Sequence, residues 1–426
     1  MKICVVGLGY IGLPTAGAFA EAGAYVHGVD INEELINKVS KGENPYVEPG
    51  LDELIKKVIG QGMLTVGIRP IEADVFIIAV PTPCTSDHKA DLSYCHNAMK
   101  AIKPYLRKGN LIILESTVYP GATKEVVLEP LKKKGFKPGK DVYIAHCPER
   151  VIPGKIIEEL VNNYRVIGGI NEKSAEKAKE LYSLFVKGEI YTSDIETAEM
   201  VKLMENTFRD VNIALANEMA KICNQIGINA WEAIGLANKH PRVNLHQPGP
   251  GVGGHCIAVD PYFVIESAPE QSKLIKTARQ INRNMPKYVL EMVQSNVIPK
   301  KKVAILGLSY KANIDDTRES PSIEIVELLR QKGYIVSAHD PFVEDSAGLK
   351  ECLYNADCVV ITVDHDSFKT LNPEMCEGLM ANQLVIDTKN TINHREWREA
   401  GFQVLLLGDG QPYNLGVEQK AQISYA

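Results

Sequence analysis

Two stretches, KICVVGLGYIG at residues 2–12 and KKVAILGLSYK at residues 301–311, decide how the rest of the chain is read. Each is a short apolar run ending in a glycine-containing turn. Each is followed by a helix-like stretch and then by a second apolar run closed by an aspartate, Asp30 in the first case and Asp340 in the second. That order is the opening of a βαβ unit. Outward from the first stretch, strand-like runs recur at Lys2–Val6, Tyr25–Val29, Val75–Val80, Leu111–Glu115 and Val142–Ala145, with Arg165–Ile167 and Glu189–Tyr191 extending the same sheet. Helix-like segments such as Asn32–Ser40 and Ala122–Lys134 lie between them, which predicts a parallel sheet covered on both faces. Outward from the second, the alternation repeats as Lys302–Leu306, a helix near Ser322–Gln331, then Ile335–Ala338, Cys358–Thr362 and Leu384–Ile386.

The middle of the chain reads differently. Ile195–Gln225 has no proline and no interior glycine, and Gly227 is a natural stop for a helix. A second helical region runs from Ser272 to Val297, and an irregular Gly- and Pro-rich segment, Lys239 to Cys256, separates the two. The expected fold is α/β, with two Rossmann-like doubly wound domains joined by a long central helical region. The expected boundaries are 1–194, 195–298 and 299–426.

Composition excludes several classes. With 45% hydrophobic and 23% charged residues and a net charge of −6, the chain is ordinary for a soluble globular protein. Lys and Arg are spread along it, so neither nucleic acid nor a membrane surface is an expected partner. No apolar run approaches the ~18 residues of a membrane span. The N-terminus reads as strand and turn, not as a signal peptide. Nine cysteines, an odd number with no CxxC pair, argue against a disulfide framework and for a cytoplasmic location. His240, His246 and His255 fall near Cys256 without zinc-type spacing, so no metal is expected.

Gly7, Gly9 and Gly12 form GxGxxG between a strand and a helix. The first glycine permits the tight turn, the second lets a pyrophosphate approach the backbone, and the third lets helix and strand pack closely. Asp30 closes the next strand at the spacing where a carboxylate hydrogen-bonds a ribose diol and repels a 2′-phosphate. No arginine follows it in DINEE, residues 30–34, so the expected cofactor is NAD and not NADP. GLSYKA, residues 307–312, lacks the third glycine, so the last domain is expected to bind something other than a dinucleotide.

The segment GPGVGGHCIAVDPYF, residues 249–263, surrounds Cys256 with glycines at 249, 251, 253 and 254, a backbone that a ligand can approach closely. Cys4, Cys84, Cys223 and Cys358 read as apolar filler, and Cys147, beside Glu149 in HCPER, ranks well behind Cys256. Lys202 and Asn206 stand at i and i+4 and project from one face of the long helix, where an ammonium and an amide can stabilise an oxyanion. On spacing alone, a solvated helix face is the plainer reading.

The motifs GLGYIGLP, PTP at Pro81–Pro83, EST at Glu115–Thr117, CPER at Cys147–Arg150, KLMEN at Lys202–Asn206, GGHC with a later Asp at Gly253–Asp260, and DDTRESP at Asp315–Pro321 occur in one order over nearly the full length. In that order the chain resembles the UDP-glucose/GDP-mannose dehydrogenase family. The resemblance implies NAD in the first domain, a UDP-sugar against the last, and a homodimer or higher homo-oligomer built on the long helix. It implies Cys256 as nucleophile, Lys202 and Asn206 on the oxyanions, and Asp260, Thr117 and Glu149 as the groups that orient or activate water. Pro81, Thr82, Thr117 and Arg318 would join Gly7, Gly9, Gly12 and Asp30 around the cofactor. Glu149, Arg150, Lys202, Asn206, Gly253 and Lys311 would contact substrate, and Arg242 in HPRV matches an arginine that reaches the neighbouring subunit's sugar.

Two departures bear on the sugar. UDP-glucose enzymes of the family carry a second Glu four residues after the position of Glu149, where this chain has Pro153, and a Pro-Lys pair where it has Ala258-Val259. Both differences resemble the branch acting on UDP-N-acetylhexosamines. CPERV, NKHPRV and GVGGHCIAVDP together are most similar to members oxidising UDP-N-acetyl-D-mannosamine at C6 to the uronate, with UDP-N-acetylglucosamine as the alternative. The expected chemistry is a four-electron oxidation through a Cys thiohemiacetal and thioester, serving cell-surface polysaccharide or glycan synthesis. A two-electron β-hydroxyacid dehydrogenase would share the Rossmann domain and the Lys-xxx-Asn pair, but needs neither the GGHC loop nor a second Rossmann-like domain. A non-catalytic NAD-binding protein would be expected to have lost one of Lys202, Cys256 or Asp260, and all three are present.

The role of Asp30 gives a direct test. Asp30→Ala is expected to narrow the preference for NAD over NADP by about tenfold in kcat/KM, because it removes both the ribose acceptor and the repulsion of a 2′-phosphate. An unchanged ratio in steady-state assays with the two cofactors would refute that role.

Overall fold

The structure, a computed structural model, describes residues 1–411; residues 412–426, the end of the third expected domain, lie outside the described residues. The first sheet has eight strands: β1 Lys2–Val6, β2 Tyr25–Val29, β3 Leu64–Gly67, β4 Val75–Ile78, β5 Leu111–Leu114, β6 Tyr143–His146, β7 Arg165–Gly169 and β8 Ile190–Asp194. Their order across the sheet is β3-β2-β1-β4-β5-β6-β7-β8. The first six follow the order of a dinucleotide-binding sheet, whose ligand crevice lies at the carboxyl ends of β1 and β4. Side chains alternate between two cores. Ile3, Val5, Val75 and Ile77 face one, and Cys4, Val6, Phe76 and Ile78 face the other. Burial on both faces is why these strands are continuous apolar runs.

Among the described residues the second sheet has five strands, β9 Lys302–Leu306, β10 Ile335–His339, β11 Cys358–Ile361, β12 Leu384–Asp387 and β13 Gln403–Leu406, in the order β10-β9-β11-β12-β13. All are parallel. This is the other common doubly wound order, with its switch point between β9 and β11. Val303 and Ile305 face one core and Ala304 and Leu306 the other.

The long helix spans Ile195–Ile226 and is followed by Gly227 at φ +77°. Three features depart from the sequence reading. The region from Ser272 is two helices, Lys273–Arg283 and Met285–Gln294, because Pro286 can enter only the first turn of a new helix. Ala122–Lys134 contains a π-helical stretch at Lys124–Leu128 before the helix Glu129–Lys133, and Pro130, which donates no amide hydrogen, falls at that junction. The first sheet is not wholly parallel: β7 runs antiparallel to β6, with Ala145 opposite Gly169 and His146 opposite Gly168. Beyond these three, the sequence reading omits β3 and β13, each at an edge of its sheet.

The described residues divide into two compact units, 1–205 with 262–269 and 206–261 with 270–411, and the division falls inside the helices Ile195–Ile226 and Asp260–Ser267. Among the described residues no helix is long and apolar enough to cross a membrane.

Candidate active site

In the first unit, the turn after β1 has the geometry its glycines require. Gly7 sits at φ +94°, and a Cβ there would lie 2.5 Å from the Ala79 carbonyl oxygen. A Cβ on Gly12 would lie 1.8 Å from the Gly7 carbonyl oxygen, so only glycine lets the helix Gly12–Glu21 start this close to the strand. A Cβ on Gly9 would meet nothing within 4 Å, which leaves open space beside the backbone at the second glycine. Asp30 Oδ2 accepts the Leu8 amide at 2.9 Å and Oδ1 accepts the Asn32 amide at 2.9 Å, so the carboxylate is pinned to the glycine turn yet stays partly exposed. These features fit a dinucleotide: open backbone at a helix N-terminus and an oriented carboxylate beside it.

Beside that turn, the ends of β4 and β5 are tied together. The Thr82 hydroxyl donates to the Thr117 carbonyl at 2.6 Å, and the Ser116 hydroxyl to the Val80 carbonyl at 2.7 Å. Pro81, Thr82 and Thr117 therefore form one edge. Glu149 is buried; its Oε2 accepts Arg165 Nη2 at 2.7 Å and its Oε1 accepts the Arg150 amide at 2.8 Å. The Arg150 guanidinium is held by Glu205 at 2.7 Å and by the Tyr164 carbonyl. Lys202 is half-buried on the long helix, one turn before Asn206.

The second unit assembles the residues around Cys256. The Cys256 carbonyl accepts the amides of Val259 at 3.0 Å and Asp260 at 2.8 Å, a turn that folds Asp260 back beneath the cysteine. Asn206 Nδ2 donates to Asp260 Oδ2 at 2.6 Å, and both residues are buried. The glycines before the cysteine are required by packing. A Cβ on Gly253 would lie 2.5 Å from the Glu319 carbonyl oxygen, and one on Gly254 would lie 2.7 Å from the Tyr310 ring. The Gly254 amide donates to the Arg318 carbonyl at 3.1 Å. The loop thus rests on the turn DDTRESP. There Arg318 pairs with Asp316 through Nε and Nη2, at 2.9 and 2.6 Å, and its Nη2 lies 3.2 Å from His255 Nδ1. Lys311 is exposed just beyond β9, and Arg242 is exposed on the segment following the helix Ala230–Ala237.

The sequence reading missed what holds this loop. Asn212 accepts the His246 amide at 2.9 Å and donates to the Asn244 carbonyl at 2.8 Å. Asn217 accepts the Gly249 amide at 2.8 Å and donates to Asn282 Oδ1 at 2.9 Å. Asn282 donates in turn to Asp210 Oδ1 at 2.8 Å, which also takes Arg279 Nη1 at 2.6 Å. A signal was available, since Asn206, Asn212, Asn217 and Asn224 all sit inside one helix, where asparagine competes with the helical backbone and is poorly favoured.

The last sheet treats its own aspartate differently. Asp340 stands where Asp30 does, but its Oδ2 accepts Leu308 and Ser309 amides at 2.7 and 2.9 Å and His365 Nε2 at 3.0 Å, while Oδ1 accepts the Phe342 amide at 2.9 Å. The Asn313 amide donates to His365 Nδ1 at 2.9 Å, which leaves the hydrogen on Nε2. Burial works to raise Asp340, yet the bonds from His365 and the backbone amides hold it far below the usual carboxylate range. A carboxylate so buried and so tied to its neighbours is closed to a ribose diol, in agreement with the missing third glycine.

Against known proteins, residues 1–186 match the NAD-binding domain of the UDP-glucose/GDP-mannose dehydrogenase family, residues 196–284 its central domain, and residues 304–394 its UDP-binding domain. The UDP-N-acetyl-D-mannosamine dehydrogenase of Methanococcus maripaludis is 52% identical over 425 residues, covering 96% of this chain and 97% of that one. The NDP-N-acetyl-D-galactosaminuronic acid dehydrogenase of Ralstonia nicotianae is 46% identical over 406 residues, covering 91% and 95%. The solved structure of the UDP-D-ManNAc dehydrogenase from Pyrococcus horikoshii superposes with a TM-score of 0.92 at 44% identity, covering 96% of this chain and 100% of that one.

The asparagine clamps make a stability prediction. Asn217→Ala leaves the Gly249 amide and Asn282 Oδ1 without these partners and is expected to cost about 1–3 kcal/mol, with a fall in kcat. Asn224→Ala on the same helix, whose Oδ1 has no partner among the described residues, is expected to stay within about 0.5 kcal/mol. Urea unfolding of both variants checks the difference; equal losses would count against the clamp.

Proposed function

The chain belongs to the UDP-glucose/GDP-mannose dehydrogenase family, and from that membership we propose that it oxidises UDP-N-acetyl-D-mannosamine at C6 to the uronate, with Cys256 as covalent nucleophile. The observation that carries the catalytic reading is the turn at Cys256, where Asn206 holds the Asp260 carboxylate at 2.6 Å beneath a cysteine on a loop fixed by packing. The sugar rests on the substrate named for the relative at 52% identity and on Pro153 and Ala258-Val259, where UDP-glucose enzymes differ.

Residues 1–194 form the cofactor domain, 195–298 carry the long helix and the cysteine loop, and 299–426 take the UDP group. Gly7, Gly9, Gly12, Asp30, Pro81, Thr82, Thr117 and Arg318 hold NAD, which supplies the acceptor for two hydrides per sugar. After the first is lost, the C6 alcohol is an aldehyde, and an aldehyde has no hydride to give until something adds to it. Cys256 Sγ adds to the carbonyl carbon and the resulting thiohemiacetal is oxidised to a thioester. Water then attacks the thioester carbon, and the thiolate leaves as the carboxylate forms. Lys202 and Asn206 stabilise the oxyanions, each such donor being worth about 10²–10³ in rate. Glu149 is the acid/base group that takes the proton from water, with Thr117 and Asp260 orienting it. Arg150, Gly253 and Lys311 bind the nucleotide sugar.

The working species in this reading is a homodimer. Met204, Phe208, Leu215, Met219, Ile222 and Ile226 are exposed along the long helix at separations of 4, 7, 4, 3 and 4 residues, an apolar stripe that a second copy would cover. Arg242 then reaches the partner's site. The product feeds a cytoplasmic supply of uronate for surface glycans.

Two measurements test this. Parent enzyme is expected to form two NADH per sugar, with kcat/KM highest for UDP-N-acetyl-D-mannosamine over its gluco and galacto isomers and UDP-glucose, in the absence of epimerase. Cys256→Ser is expected to lose that stoichiometry, because an ester is harder to form and hydrolyse than a thioester. Two NADH per sugar at normal turnover in the variant sinks the thioester route, and a preference for UDP-glucose sinks the N-acetyl assignment. For the dimer, mixing Arg242→Ala and Cys256→Ala chains is expected to restore one intact site per verified mixed dimer, and no recovered activity would exclude action in trans.

A further inference from the structure

Behind Glu149 lies a buried polar cluster that no step above uses. Glu115 directly follows β5, Cys147 and Glu149 follow β6, Arg165 begins β7, and Tyr182 ends the helix Glu172–Tyr182. The antiparallel turn of β7 against β6 brings Arg165 to the carboxyl end of β6. All five side chains are buried. Arg165 is packed against aromatic faces, its guanidinium carbon 4.7 Å from the Tyr182 ring centre and 5.6 Å from that of Phe185. Its Nη2 donates to Glu149 at 2.7 Å, and Nη1 lies 3.6 Å from Cys147 Sγ. The Tyr182 hydroxyl donates to Glu115 Oε1, while Glu115 Oε2 has no hydrogen-bond partner among the described residues. Two carboxyls, Glu115 and Glu149, therefore share one guanidinium in a buried site.

Such a cluster balances its charge only when one carboxyl keeps its proton. Glu149 is the one in direct contact with Arg165, so Glu115, with one oxygen unpartnered, is the natural proton carrier.

We propose that Glu115 and Arg165 are positioning residues for Glu149: Arg165 orients its carboxylate, and Glu115 tunes its basicity by holding or releasing a proton beside it. This rests on the reading of Glu149 as the acid/base group. Burial first, and the charge of Glu149 second, push Glu115 up to about 7, against the pull of Arg165 and the Tyr182 hydroxyl. Cys147 and Tyr182 are raised by the same burial and stay neutral, and His146, buried beside them in sequence, is lowered to about 3 and stays neutral too. As pH rises through this window a second negative charge enters the cluster, which makes Glu149 a stronger base.

The test is kcat for parent, Glu115→Gln and Glu149→Gln across pH 6 to 8, with UDP-N-acetyl-D-mannosamine and NAD. The ratio of parent to Glu115→Gln is expected to rise about threefold, with its midpoint near 7. A ratio constant with pH overturns the role of Glu115, since a merely structural defect lowers both ends alike. Glu149→Gln is expected to lose about 100-fold in kcat. If it does not, the acid/base reading has failed and the inference falls with it, distinguishably from a failure of Glu115 alone. Arg165→Lys, which keeps the charge without the planar fork, is expected to lower kcat with little change in KM; a change confined to KM overturns its part. Should Glu115→Gln not fold, pH-difference infrared spectroscopy of the parent decides. A buried carboxyl deprotonating near pH 7 supports the proposal, and none doing so overturns it.

Discussion

Residues 238–259 form neither helix nor strand, yet they carry Cys256, the nucleophile of the proposed reaction. A segment without its own ladder must find partners for its backbone amides and carbonyls elsewhere, or leave them to water and move. Asn212 and Asn217, on one helix, supply such partners at Asn244 and His246 and at Gly249, and Asn206 of the same helix holds the Asp260 carboxylate just beyond the segment. An asparagine side chain offers a donor and an acceptor at fixed separation, so each can hold two points at once. The unfavourable helix propensity of asparagine is outweighed because a buried amide left unpaired costs more.

The same loop is held from its other side by shape. Gly253 and Gly254 lie against Glu319 and Tyr310 so closely that a methyl group would collide. Glycine here serves the approach of one protein segment to another. That differs from Gly9, where the space beside the backbone is open. Equivalent-looking glycines thus have two physical roles, close packing in one place and room for a ligand in the other.

The two sheets make a matched comparison. Both close their second strand with an aspartate aimed at the turn after the first. Asp30 accepts one amide on each oxygen, from Leu8 and Asn32, and remains partly exposed, while Asp340 is buried and enclosed by His365 and three backbone amides. The first arrangement can receive a diol and the second is a finished structural knot. A single fold opening has been turned to two ends by the neighbours its aspartate meets.

The sequence alone determined the alternation of elements, the family, the glycine turn, Asp30 and the candidate cysteine, because these depend on local period and on motifs whose geometry is set within a few residues. β1, β2 and β9 match the strand-like runs residue for residue, and the long helix ends at Gly227 as its composition requires. Only the tertiary structure decided the antiparallel entry of β7, which brings Arg165 beside Glu149 across 16 residues of sequence, and the meeting of Asn217 with Gly249 across 32. Nothing local marks an arginine as the partner of a particular glutamate or an asparagine as the holder of a distant loop. Those pairings arise when buried polar groups, brought together by the packing of apolar faces, must satisfy one another.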